Sequence, residues 1–435
     1  MRKPHLLGIG ALVLAASISL SACAGSGGGS PTAGNPLDDP SPAPANIRVW
    51  LVGPDTPQTV RDYLKQTFEA ENPGSTLTVE EQSWTGLVDK YTTALSGSDA
   101  PDVVEIGNTQ APTFTSAGYF TDLTSKYQDL GGDNMLPGFV AVGSYNGEFY
   151  APPYYSGARL ITYTSQVFTG PVPTTWDEYI ADYTAAATDS VSGLYLSGKD
   201  WRNGMTFVWA NGGEIATVDA SGKWTGGFAS DASIKGLTEF QDLFTKGISK
   251  GATDVTESTG NQPAFCAGQV AFLQAASWVM GGLEASETAE TPGCGSTYGN
   301  PADMHQFAIP GMTAGTYAPV LAGGSNLAIP AKSQHQALAY KALQIMLSDG
   351  YQKQLAAVGM VPALTTQAQF MPDNESSKAS GEAASNAKLT PASPNWADVE
   401  SSQILEDGFS KIAQGQDVAT VAADMDSKME AILNQ

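Results

Sequence analysis

The side chains best placed to do chemistry in this sequence are aromatic and neutral polar ones. Trp84, Tyr154, Tyr155, Trp201, Trp209, Trp224, Trp278 and Trp396 all fall near polar turn residues. A flat aromatic face stacks on the C–H face of a sugar ring, while side-chain amides and carboxylates take its hydroxyls. Aromatics are more often core than contact, but Trp84 and Trp278 break from apolar periodic runs. Trp84 stands between TLTVEEQ, which reads as a strand, and GLVDKYTTAL, which reads as a helix. That is the carboxyl end of a strand, where open α/β sheets bind ligands. Trp278 follows the apolar run Val270 to Leu273 and leads into Gly281-Gly282, a second strand-to-helix turn. The apolar run DVVEI ends similarly in Gly107-Asn108-Thr109-Gln110; helix capping alone would account for Asn108 and Thr109.

Several enzymatic constellations are missing. Beyond the leader the histidines are His305 and His335, without His-x-x-x-His spacing or a Cys-x-x-Cys partner, which disfavours a histidine-rich metal site. There is no Gly-x-Ser-x-Gly elbow. Gly193 to Lys199 has the spacing of a phosphate loop, but Asp200 stands where Ser or Thr would ligate magnesium, and its carboxylate would repel phosphates; a turn is the better reading. With 44 acidic residues, a glycosidase-type carboxylate pair stays open as the enzymatic alternative, because its two acids need only meet in space. No feature calls for a cofactor or a metal.

The elements that would position these residues alternate. NIRVWLVG (from Asn46), TLTVEEQ (from Thr76) and Asp102 to Ile106 read as strands; Thr59 to Ala70 and Gly86 to Leu95 read as helices. This pattern predicts an α/β fold with a parallel, doubly wound sheet. From Gly147 to Ser165 the pattern changes to aromatic-rich extended segments broken by Pro152-Pro153 and Gly157, as at a crossing between domains. Further helices are expected over Thr175 to Ala187, Ile234 to Lys246, Gln336 to Leu347, Gly350 to Val358, Val399 to Ala413 and Val418 to Leu433. Thr366 to Asn395 reads as surface loops.

The chain is 435 residues long and 42% hydrophobic, enough for two or three cores. Arg2 and Lys3 precede an apolar run from Leu6 to Leu20, the pattern of an export signal. Leu20-Ser21-Ala22-Cys23 resembles the lipobox of bacterial lipoproteins, which implies cleavage after residue 22 and lipid on Cys23. Residues 23–45 are rich in Gly, Ser, Pro and Ala and read as a flexible tether reaching roughly 25 Å. The net charge of −23 repels nucleic acid. In an oxidising compartment Cys266 and Cys294 are expected to pair, a bridge worth on the order of 3 kcal/mol.

Six segments in order resemble the extracellular solute-binding lipoproteins of ABC sugar importers. They are IRVWLVG, PDVVEIGNTQAPTFTSAGYFTDLT, GEFYAPPYYSGARLITYTSQVF, FVWANGGEIA, AFCAGQVAFLQAASWVMGGL and LAGGSNLAIP. The IGNTQ form is most similar to the branch that binds N,N′-diacetylchitobiose and related amino sugars. The resemblance implies two discontinuous α/β lobes closing like a hinge, here 46–154 plus 318–365 and 155–317 plus 366–435. It implies that Trp84, Asn108 and Gln110 face the cleft from lobe one, with Tyr155 and Arg159 at its floor. Trp209, Trp278 and Trp396 would face it from lobe two, and Gly324 and Ser325 where the chain returns. It further implies a monomer that breaks no bond, with a sugar as ligand, an ABC permease as partner, and the membrane reached through the lipid anchor only.

Overall fold

The computed structural model describes residues 35–256, 261–277, 279–284, 293–294 and 303–435. Strand β1 (Asn46–Val52) buries Ile47, Val49 and Leu51 on one face, as a period of two requires. Helix α1 (Gln58–Glu71) buries Val60, Leu64 and Phe68, spaced one turn apart, against that sheet. The chain continues through β2 (Thr76–Gln82), α2 (Leu87–Ser96), β3 (Val103–Gly107), α3 (Ala111–Ser116), β4 (Pro153–Gly157) and β5 (Arg159–Thr164). Next come α4 (Trp176–Ala186), β6 (Ser192–Tyr195), α5 (Trp201–Ala210), α6 (Asp231–Thr245), β7 (Val270–Ala276), β8 (Met304–Phe307) and β9 (Gly323–Ala328). The remainder is α7 (Gln336–Leu347), α8 (Asp349–Ala357), β10 (Val361–Pro362), α9 (Glu375–Ala384), α10 (Trp396–Ser401), α11 (Ile404–Ala413) and α12 (Val418–Leu433).

Two sheets result. The first runs in the order β10-β4-β9-β3-β1-β2 and the second β8-β5-β7-β6. β1 is parallel to β2 and β3, as the alternation of strands and helices implies. The rest of the first sheet departs from the parallel expectation, because β9 enters it antiparallel to both β3 and β4. β9 follows β8, an edge strand of the second sheet, and local periodicity says nothing about the direction of so distant a neighbour. In the second sheet β7 is antiparallel to β5 and parallel to β6.

Each sheet has its own core. Leu64, Phe68, Val103, Leu343 and Leu355 pack on the first; Trp176, Phe207, Phe240, Phe272 and Phe409 on the second. The chain changes sheet at Ala158, between β4 and β5, and returns between Leu321, which packs with the second core, and Leu327, which packs with the first. It stays with the first unit through the turn Thr365–Phe370, where Gln367 Nε2 donates to Leu347 O (2.9 Å) and Asp349 Oδ1 (3.0 Å).

Three local expectations change. Within the segment read as a tether, Pro36–Asp38 forms a 3-10 turn whose Leu37 is buried in the first core. Within the segment read as loop, α9 forms, with the Asn374 side chain accepting from Ser377 N–H (2.9 Å) as its cap. The single helix expected over Val399 to Ala413 is two, α10 and α11, parted at Gln403, whose φ is 57°. Cys266 and Cys294 are joined, with Cα atoms 4.8 Å apart. Cys23 lies outside the described residues, and no helix among them is long and apolar enough to cross a membrane.

Candidate ligand-binding site

A cavity of about 420 Å³ opens at the carboxyl ends of β1, β2 and β3, where the two units meet. Asp55, from the turn after β1, and Trp84, from the turn after β2, line it together with Gly107 to Gln110 after β3. Tyr155 on β4, Arg159 on β5, Arg202 in the first turn of α5 and Leu321 to Ser325 entering β9 complete the wall.

The turn carrying Asp55 is held by Arg61. Its Nε donates to Thr56 O (2.7 Å), its Nη2 to Gly53 O (2.6 Å), and its Nη1 pairs with Glu81 (2.7 Å). Trp84 is 42% exposed, unusual for so large an apolar ring. Two glycines make room for it. A Cβ at Gly107 would lie 3.1 Å from the indole Cζ3, and one at Gly53, where φ is +63°, would lie 3.2 Å from Nε1. The exposed indole therefore rests on bare backbone with its other side toward the cavity.

Asn108 is buried and clamps β3 to the entry of β9, its Nδ2 donating to Ala322 O (3.0 Å) and its backbone N–H to Gly324 O (3.1 Å). It does not cap α3, which begins at Ala111 with Gln110 at the cap position and no side-chain cap. Thr109 Oγ1 and Gln110 Nε2 both donate to Glu400 Oε2 on α10 (3.0 and 2.7 Å), and Arg202 Nη2 meets Glu400 Oε1 at 3.3 Å. One carboxylate thus ties the first unit to the second at the rim. Gln110 Oε1 is buried without a hydrogen-bond partner against Gly107, where a Cβ would lie 2.2 Å from it. Gly324, at φ +132°, passes so close to β4 that a Cβ would lie 2.3 Å from Tyr155 O.

Behind the wall sits Glu105 on β3, fully buried. Its Oε2 accepts from Val52 N–H (2.9 Å) and its Oε1 from Tyr155 Oη–H (3.0 Å). Burial pushes its carboxyl up to about 7, opposed by the nearby Ser325 hydroxyl and by the hydrogen bonds from Val52 and Tyr155. Burial also raises Asp55, against the donors Trp84 and Tyr155 that face its carboxyl. Of these two acids only Asp55 lines the cavity, so they do not flank it as a hydrolytic pair would. No group of three His, Cys, Asp or Glu side chains among the described residues could hold a metal ion.

The structure therefore brings Trp84, Asn108, Gln110, Tyr155, Arg159, Gly324 and Ser325 to one cavity and leaves Trp209 and Trp396 out of it. Trp209 is 3% exposed in the second core, with Lys388 Nζ 5.9 Å from its ring. It shares a helix face with Arg202, but seven residues along α5 carry it about 10 Å deeper. Trp396 is fully buried, its ring 6.4 Å from that of Trp201 in an edge-on pair. Trp278 lies outside the described residues. Asp55, Arg202 and Glu400 had not been singled out. Asp55 had a readable signal, an acid in the turn directly after the first strand; Arg202 and Glu400 had none, since they reach the site only through packing of α5 and α10.

The chain as a whole resembles known proteins closely enough to place it. Over its full length it is 29% identical to the diacetylchitobiose binding protein DasA of Streptomyces coelicolor, covering 100% of each. The GacH receptor of Streptomyces glaucescens, solved unliganded and with acarbose, has a TM-score of 0.75 at 20% identity, covering 90% of this chain and 99% of that one. The sugar-binding protein MalE of Xanthomonas citri gives 0.74 at 19% identity, covering 89% and 97%. These two structures share the two-lobed fold. The model of the bacterial extracellular solute-binding proteins matches residues 53–353, and the chain belongs to that family.

Proposed function

We propose that this protein is an extracytoplasmic receptor, anchored by lipid on Cys23, that captures a sugar or short oligosaccharide in the cavity between its lobes and hands it intact to an ABC permease. The observation that carries this reading is the cavity itself: an exposed indole laid on glycines, ringed by an acid, amides, hydroxyls and two arginines. That is the composition a polyhydroxylated ring needs, one apolar face to stack on and polar groups around its edge. A volume of about 420 Å³ suits a small ligand. The full-length likeness to a diacetylchitobiose binding protein makes N,N′-diacetylchitobiose the first ligand to try.

The lobes are proposed as about 46–157 plus 322–370 and 158–321 plus 371–435, the boundaries expected at 154, 317 and 365 moving to where the chain changes sheet, with the strand-to-strand passage at Ala158 serving as one hinge segment. A ligand held by Trp84 and Asp55 on one side and Arg202 on the other favours the closed form by differential contact, which lets a permease tell loaded from empty. Calorimetric titration with N,N′-diacetylchitobiose, cellobiose and maltose tests the reading. Saturable binding with intact sugar recovered by chromatography supports it; cleaved sugar favours a hydrolase, and no binding to any of a broad sugar panel rejects it.

A further inference from the structure

Tyr155 has one phenolic hydrogen and two carboxyls to satisfy. Glu105 Oε1 lies 3.0 Å from its oxygen on the buried side, and Asp55 faces it on the cavity side. A phenol donates once, so if both acids were ionised one would face the oxygen lone pairs with no hydrogen between. A single added proton resolves this. Glu105 is fully buried while Asp55 is open to the cavity, and a charge is far costlier in the buried position. Glu105 Oε2 already accepts from Val52 N–H, and Oε1 lies against the Tyr155 hydroxyl, so a proton on Oε1 has an acceptor. The other titratable groups around Glu105 are Tyr91 on α2, whose Oη donates to the Glu105 backbone carbonyl (2.8 Å), Tyr154 on β4 and Tyr351 on α8. Arg61 is spent on Glu81 and backbone carbonyls.

We propose that Glu105 is a positioning residue for the cavity: as the neutral acid it donates to Tyr155, Tyr155 donates to Asp55, and Asp55 meets a ligand hydroxyl as an ionised acceptor. The four strand ends β1, β3, β4 and β9 are thereby locked to one protonation pattern. Loss of the Glu105 proton turns the phenolic hydrogen inward, removes the donor from Asp55 and places a second negative charge behind it. Burial that raises the Glu105 carboxyl to about 7 puts this event in the neutral range.

The proposal rests on the sugar-site reading for its ligand but not for its first test. In the ligand-free full chain with ¹³C-labelled glutamate carboxyls, NMR titration is expected to show one carboxyl with a midpoint near pH 7 that is missing from Glu105→Gln. If every glutamate carboxyl in the unmutated protein titrates below about pH 6, the proposal is overturned without recourse to any variant. The second test titrates N,N′-diacetylchitobiose calorimetrically between about pH 5.5 and 8.5. Above the midpoint the competent fraction, and so the apparent affinity, falls about tenfold per pH unit, and Glu105→Gln flattens that fall. Parallel pH profiles for the two proteins overturn the proposal. Absence of sugar binding at every pH counts against the sugar reading alone, and the NMR titration then decides on Glu105.

Discussion

Replacing Trp84 by alanine isolates the stacking surface from the fold. The indole is 42% exposed and rests on Gly53 and Gly107, so it contributes little to either core. Taking about 200 Å² for a tryptophan side chain, that exposure leaves about 80 Å² for a ligand to cover. At about 25 cal/mol per Å² its burial is worth about 2 kcal/mol, a loss of about 30-fold in affinity on removal. Trp84→Phe keeps a smaller flat face and should lose less. The assay is isothermal calorimetry with N,N′-diacetylchitobiose, alongside a thermal melt to show that the variant is folded. An unchanged Kd in folded Trp84→Ala would refute the reasoning, because no compensating ring from the first lobe lines the cavity among the described residues except Tyr155, which is turned into the wall by Glu105.

Trp396→Ala should do the opposite, lowering stability by about 3 to 5 kcal/mol through a cavity beside Trp201; a melt unchanged from the parent would contradict its place in the core. Gly324→Ala should destabilise by at least 2 kcal/mol or so, since its Cβ would meet Tyr155 O at 2.3 Å on backbone at φ +132°; a stable variant with full affinity would show that β4 and β9 can part there. Because the Glu105 carboxyl is raised from 4.5 to about 7 in the fold, its contribution to stability is complete below pH 4.5 and is lost as pH rises to about 7, a change of about 3 kcal/mol. Urea unfolding of the parent and of Glu105→Gln across that window checks this, and equal slopes against pH would contradict it.

Much of the first lobe could be read locally. The alternation in NIRVWLV, the one-turn spacing of Val60, Leu64 and Phe68, and the break from DVVEI into Gly-Asn-Thr-Gln are all short-range patterns, and each produced its element. Trp84 was legible because a tryptophan in a strand-to-helix turn has no apolar periodicity to explain it. Trp209 and Trp396 were misplaced for the same kind of reason: a Trp at the end of a helix looks alike whether that helix end faces a cleft or a core. The antiparallel entry of β9 and the Glu400 tie between α10 and Gln110 join residues more than 200 positions apart, and no local pattern encodes them. Helix α9 was missed because ESSKASGEAA is small and polar, though Asn374 three residues before Ser377 was a cap signal that could have been used. Asp200, which spoils the phosphate-loop match, turns out to cap α5 by accepting from Asn203 N–H at 3.0 Å.

The proposed function requires an intact sugar to lie between the two lobes in the cavity bounded by Trp84, Asp55 and Arg202. A crystal structure of the protein grown with N,N′-diacetylchitobiose tests it directly. An unbroken disaccharide is expected, with one ring stacked on Trp84 and a hydroxyl on the Asp55 carboxylate. A cavity left empty at saturating sugar, or a disaccharide found cleaved within it, would rule out a receptor that binds intact sugar there.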